Sequence, residues 1–145
     1  MKSISILTFS ALLLISPIQL SAETQADCPD AKQLESVSTH NKEELTEALE
    51  DIVPDTYGEN DYGNHFSKWE VTTSLPFTKA IENKQENKEY YEQAKKVCGE
   101  EVAKQSWLVK LHFPLWEGKS ENATDGQLFL AKSKRDGWFA WYRVQ

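Results

Sequence analysis

The chain is poor in the residues that build metal centres and covalent catalytic sites. It has only two cysteines and three histidines, and their spacing matches no metal-ligand pattern. It also lacks a Gly-x-Ser-x-Gly nucleophile elbow, a phosphate-binding glycine loop and a dinucleotide fingerprint. The sequence therefore shows no catalytic constellation and indicates no metal and no cofactor. These observations favour a protein that is not an enzyme.

Long apolar runs are scarce beyond the N-terminus. Lys2 precedes an apolar segment over residues 4–20, which Ser, Thr, Pro and Gln interrupt. Its uninterrupted core is shorter than the roughly 20 residues that span a bilayer. The segment is followed by Ser21-Ala22, small residues that suit a signal peptidase. We predict that residues 1–22 are a signal peptide, that the mature chain begins at Glu23, and that the protein is periplasmic or secreted.

Positive charge is also limited. The chain has 16 basic and 23 acidic residues, a formal net charge of −7. Loss of Lys2 with the signal peptide leaves 15 basic against 23 acidic residues, or −8. Nucleic-acid binding depends on neutralising phosphates, so we expect no nucleic-acid partner. We likewise expect no membrane association after the signal peptide is removed.

The two cysteines, Cys28 and Cys98, form an even count in a chain predicted to reach an oxidising compartment. This predicts a single disulfide, and two buried free thiols are the alternative. The bridge would close a loop of about 71 residues and stabilise the fold by roughly 4 kcal/mol in the chain-entropy model. Residues 23–40 are polar, and we expect a loosely ordered arm tethered by Cys28.

The first helix has recognisable end signals. Asn41 is a suitable N-cap, and Glu44 three residues later completes a capping box. Apolar residues then follow at helical spacing up to Ile52. Pro54 is expected to end the helix.

The middle of the chain mixes extended and helical patterns. Residues 66–75 alternate like a strand and end before Pro76, so they form either a fourth strand or an extended lead-in. A helical pattern begins at Phe77, is interrupted by a wholly polar stretch over 83–88, and resumes up to Cys98. It extends further only if the helix runs through Gly99, at a cost of about 1 kcal/mol.

The last forty residues hold four of the five tryptophans and read as three strands. These are 106–113, 127–133 and 138–144, joined by polar or glycine-containing turns. We predict an α+β fold, in which N-terminal helices pack on one face of a C-terminal antiparallel meander of three or four strands. Residues 41–145 would form one domain. The order of elements is similar in outline to cystatin-like and NTF2-like folds, in architecture only.

The second face of this sheet is unusual. Trp107 and every second residue after it on strand 106–113 would face the helices. The opposite face of the sheet then carries basic and aromatic residues. One register of the strands places five of them together: Lys110, His112, Phe139, Trp141 and Arg143. The alternative is that the N-terminal arm or residues 66–75 cover part of that face. If the face is exposed, its aromatic and arginine content is typical of protein interfaces.

These observations favour a small exported protein-binding module of the inhibitor, immunity or accessory type, which acts through the five residues of the second face. One alternative is a small secreted hydrolase or lyase with a site in the concave sheet. Another is a carbohydrate or small-ligand binder that uses tryptophans as stacking platforms. A pocket with perturbed acids beside His112 would favour the enzyme, and a flat aromatic patch would favour protein binding.

Overall fold

A computed structural model describes residues 27–58 and 63–144 of the chain. The predicted signal peptide lies outside the described residues, so cleavage before Glu23 stays a prediction. Short 3-10 turns lie at 31–33, 39–41, 63–66 and 114–116. The helices are α1 (Lys42–Tyr57), α2 (Phe77–Ala80), α3 (Gln85–Cys98), α4 (Glu100–Lys104) and α5 (Glu121–Thr124), and the strands are β1 (Glu70–Pro76), β2 (Ser106–His112), β3 (Asp125–Ser133) and β4 (Gly137–Arg143).

The four strands form one antiparallel meander in the order β1-β2-β3-β4. The predicted α+β fold with a C-terminal meander is therefore confirmed, and residues 70–76 provide the fourth strand. Antiparallel neighbours need only short connections, and the β3–β4 turn is the tightest of them, with Gly137 at a φ of +81°. The sequence signal Lys-Arg-Asp-Gly before β4 corresponds to this turn.

Helices cover both faces of the sheet, whereas the sequence pattern indicated one. Trp107, Val109 and Leu111 of β2 pack on α1. The intervening Leu108 packs with α2, α3 and α4 on the opposite face, together with Phe129. β2 and β3 have buried residues on both faces. These two strands therefore lie between α1 on one face and α2, α3 and α4 on the other.

Two details of α1 differ from the prediction. Asn41 does not cap it, because its Oδ1 accepts the Ser38 backbone N–H at 2.8 Å and so closes the preceding 3-10 turn. Pro54 lies inside the helix, which continues to Tyr57. A proline removes one helical hydrogen bond, but Val53 and Tyr57 are both buried against the sheet. Their burial favours the additional turn.

The helical region after β1 divides at the expected places. The polar stretch separates α2 from α3, and Gly99 separates α3 from α4 with a φ of +91°. The helix therefore does not run through Gly99, where the backbone adopts a positive φ that favours glycine. The resulting bend places Val102 and Ala103 in the same core as Tyr91 and Ala94 of α3.

The disulfide between Cys28 and Cys98 is present, as predicted, with a Cα–Cα distance of 5.3 Å. The arm that it tethers is more ordered than expected. Leu34 is buried in the core beneath α3 and α4 and forms an isolated bridge with Ser133. The Glu35 N–H donates to the Lys132 carbonyl at 2.8 Å. β2 begins at Ser106, which pairs with Ala131, so the last two residues of β3 extend beyond β2. The arm pairs with β3 at these two residues.

No helix within residues 27–58 and 63–144 combines the length and the apolar character that a membrane crossing requires.

Candidate functional site

A β-bulge in β4 determines where the predicted binding residues lie. Phe129 pairs with Tyr142, but the next residue of β3, Leu130, pairs with Ala140, so Trp141 is the extra residue. A bulge interrupts the two-residue alternation of side chains. Phe139 and Trp141 therefore face α3 and α4, while Arg143 lies on the α1 side. The prediction that Phe139, Trp141 and Arg143 share one face is wrong.

Trp141 is a core residue. Only 5 % of it is exposed, and its ring lies 5.4 Å from that of Phe129, centroid to centroid. Its indole N–H donates to the Ser106 hydroxyl at 3.0 Å, and that hydroxyl donates to the Val102 carbonyl at 2.6 Å. The α2–α4 helices and Leu34 of the arm cover this part of the face. Trp141 is thus inaccessible to a partner, and the predicted exposed platform does not exist there.

Lys110 lies at the open end of the same face, where α3 begins. Its ammonium group pairs with the Glu86 carboxylate at 2.8 Å and lies 5.5 Å from the centre of the Tyr90 ring. The lysine side chain is 17 % exposed. Its charge is therefore engaged by α3 and joins the start of that helix to the sheet.

His112 joins three segments at the end of β2. Its Nδ1 lies 2.9 Å from the Asp125 carboxylate at the start of β3, and its Nε2 lies 2.6 Å from the Glu117 carboxylate in the β2–β3 connection. Hydrogen bonding to Asp125 and then to Glu117 raises the pKa of His112 above its ordinary range. Both ring nitrogens donate in the protonated form, so the imidazolium holds the two carboxylates together.

This arrangement predicts a pH-dependent contribution to stability. Because the folded state raises the pKa of His112, the stabilisation is complete below the unfolded value of about 6.5 and is lost as pH rises through the folded pKa. We expect His112→Gln to destabilise the protein at about pH 5.5 and to have a much smaller effect at about pH 9. Urea unfolding at both pH values measures the difference.

The matched control is His40→Gln, which replaces an exposed histidine that lies 3.4 Å from the Ser38 hydroxyl and forms no ion pair among the described residues. It should show no comparable pH dependence. If the destabilisation by His112→Gln were equal at both pH values, or larger at the higher one, the charge-based role of His112 would be refuted.

Arg143 lies beside a pocket between the end of α1 and the start of β3. Its guanidinium carbon is 4.1 Å from the centre of the Tyr57 ring, and Nη1 donates to the Thr56 carbonyl at 3.4 Å. The pocket has a volume of about 380 Å³. We call it the Arg143 pocket, and it is lined by Tyr57, Phe66, Ser120, Asn122, Ala123, Asp125, Gly126, Gln127, Arg143 and Val144.

Gly126 permits the close packing of α1 on this end of the sheet. A Cβ at Gly126 would collide with the Tyr57 phenol oxygen and would come within 3.0 Å of the Phe113 ring. Burial raises the pKa of the Tyr57 phenol, so its ring stays neutral beneath the arginine. The quadrupole of this ring attracts the guanidinium that lies over its face.

The outer edge of β4 has no strand beside it within the described part of the chain. Trp138, Phe139 and Tyr142 are each partly exposed along this strand. The other edge strand, β1, is mostly polar, with a sequence of Glu-Val-Thr-Thr-Ser-Leu-Pro. We call the free side of β4, with these three aromatic residues, the β4 edge.

The structure thus divides the five predicted residues among three environments. Lys110 and His112 share the open end of the α3 face. Phe139 and Trp141 lie further along that face, where Trp141 is buried and Phe139 is partly exposed. Arg143 lines a pocket on the α1 side. The sequence analysis missed Tyr57 and Asp125, which depend on contacts between distant segments. Gly126 directly after Asp125 was an available signal, since a glycine inside a strand often marks a close approach of other groups.

No group of three or more His, Cys, Asp or Glu side chains among the described residues is placed to hold a metal ion. Comparison of the chain with protein-family models, with curated proteins and with solved structures found no match. The outline similarity to cystatin-like and NTF2-like folds stays a prediction, and the functional argument depends on the geometry of this chain.

Proposed function

We propose that this protein is an exported protein-binding module of the inhibitor, immunity or accessory type, and that its partner contacts the β4 edge. The observation that carries the proposal is that β4 has no neighbour on its outer side among the described residues and carries three partly exposed aromatic residues. An open edge offers backbone hydrogen bonds to an added strand. The disulfide supports export, because such bonds persist in oxidising compartments.

The β4 edge fits a protein partner better than the sheet face that the sequence pattern indicates. Helices bury Trp141 on that face, whereas Trp138, Phe139 and Tyr142 keep exposed surface at the edge. Aromatic residues are enriched at the centres of protein interfaces. An edge strand with this composition would be a liability in a protein that does not use it.

Charge indicates which partner segment would pair there. Arg135 lies in the β3–β4 turn, close to the start of β4, and forms no ion pair among the described residues. By contrast, each lysine that forms an ion pair among the described residues is paired with a glutamate of the same chain. The proposed occupant is therefore an extended segment with acidic residues on a partner protein, since complementary charge favours association.

Photo-crosslinking in the native extracytoplasmic compartment tests this proposal. A benzophenone-bearing phenylalanine at position 139 should form one discrete adduct with a different protein. Arg135→Glu should lower the adduct yield several-fold, because reversal of a charge at the rim of an interface slows association. Arg135 is exposed in the β3–β4 turn, and substitutions at such positions usually change stability by about 0.5 kcal/mol or less.

Lys88→Glu provides the matched control, since it makes the same charge change at an exposed position of α3. It should leave the adduct yield unchanged. A benzophenone at position 88 should form no discrete adduct. The proposal would be overturned by equal labelling from both positions, by the absence of an adduct at 139, or by an adduct with a second copy of this chain.

A further inference from the structure

We infer that the Arg143 pocket binds a carboxylate that is carried on an apolar or aromatic body. This site is separate from backbone pairing at the β4 edge, so it does not depend on that proposal. Three features support it: a positioned arginine with no acidic partner among residues 27–58 and 63–144, a charge balance that suits a monoanion, and walls that combine polar and aromatic residues.

Arg143 is held in place but keeps most of its hydrogen-bonding capacity. The Tyr57 ring supports one face of the guanidinium, and a single hydrogen bond within the described part of the chain, to the Thr56 carbonyl, uses one of its donors. A guanidinium has five N–H donors in a fork that matches a carboxylate. Because the stacking fixes the plane of the group, less side-chain freedom is lost when an anion binds.

The charges around the pocket favour a single negative charge. Asp125 lines the pocket, but its carboxylate is bonded to His112 at 2.9 Å. It therefore competes little for Arg143, with which it forms no ion pair. Its remaining negative charge nevertheless disfavours a dianion such as phosphate, because like charges at a shared site repel.

The composition of the walls indicates the rest of the ligand. Tyr57, Phe66 and Val144 provide apolar surface, while Ser120, Asn122 and Gln127 provide polar groups. A volume of about 380 Å³ is within the range of pockets that take small organic ligands. A carboxylate next to an aromatic or branched apolar group fits this combination. Such a group occurs on free aromatic acids and at the C-terminus of a protein chain.

NMR titration of the whole mature protein tests the assignment with defined probes. N-acetylphenylalanine should shift the backbone resonances of Gly126, Gln127 and Val144, and its neutral amide should bind at least about tenfold more weakly, because the charge-assisted bonds are lost. Inorganic phosphate should bind more weakly than the carboxylate. Comparison with phenylpropanoate distinguishes the two sources of the ligand. If phenylpropanoate and N-acetylphenylalanine bind with equal affinity, the natural ligand is a free acid. If N-acetylphenylalanine binds more tightly, the natural ligand is the C-terminus of a protein chain.

Arg143→Gln should abolish the discrimination between the acid and its amide, and Lys88→Gln, the loss of a positive charge at an exposed position of α3 outside the pocket, should preserve it. The inference is overturned if acid and amide bind the wild-type protein equally, or if phosphate binds as tightly as the carboxylate. It is also overturned if Arg143→Gln retains the preference for the acid. The comparison of acid and amide on the wild-type protein decides the question even if the variant folds poorly. Crosslinking at position 139 is an independent readout, so failure at one site leaves the other intact.

Discussion

Replacing Trp141 with alanine should lower the free energy of unfolding by about 3–5 kcal/mol, the range for large aromatic residues truncated in a core. Trp141 is 5 % exposed and packs against Phe129, so its removal leaves a cavity. The Ser106 hydroxyl, buried completely, also loses the indole donor. Because domains of this size are stable by roughly 5–15 kcal/mol, chemical denaturation should show a large shift of the midpoint.

Trp141→Phe separates the two contributions. It keeps an aromatic ring against Phe129 but removes the indole N–H that Ser106 accepts, so it should cost less than the alanine variant. Trp138→Phe is a matched control at a partly exposed position of the same strand and should have a smaller effect than Trp141→Phe. A melting temperature for Trp141→Ala close to that of the wild type would mean that the residue is accessible, and would restore the sheet face as a binding surface.

Loss of the disulfide should have the second large effect. The double variant Cys28→Ser/Cys98→Ser should be less stable by about 4 kcal/mol, because the bridge closes a long loop and limits the freedom of the unfolded chain. The two cysteines are 70 residues apart in sequence. The arm would also lose its anchor, which weakens the packing of Leu34 in the core.

Unfolding with and without a reducing agent measures this effect. Reduction should destabilise the wild-type protein by a similar amount and leave the double variant unchanged. Leu34→Ala with the disulfide intact measures the contribution of the arm contact alone, because that residue is almost fully buried. A double variant as stable as the wild type would show that packing alone holds the arm.

Local sequence patterns were sufficient for most of the elements. The alternation of 106–113, 127–133 and 138–144 predicted β2, β3 and β4 within two residues at each end. The even cysteine count predicted the bridge between Cys28 and Cys98. These predictions succeeded because strand alternation and the number of cysteines do not depend on how the elements are arranged in space.

The distribution of helices over two faces could not be read from these patterns. An apolar stripe shows that α3 has a buried side, but it does not state which face of the sheet receives it. Likewise, Pro54 is a valid local stop signal, and α1 passes it because Val53 and Tyr57 are buried against the sheet. In both cases tertiary packing supplied free energy that a local reading omits.

The sequence by itself determined the α+β class, the C-terminal meander and the pairing of the cysteines, since each follows from composition and periodicity. Only the tertiary structure decided which residues meet at a site. One extra residue in β4 moved Arg143 to the face opposite Trp141, because a bulge is a property of how two strands pair. The Arg143 pocket exists for the same reason: Tyr57, Asp125 and Arg143 are far apart in the chain and become neighbours only when α1 packs on the sheet.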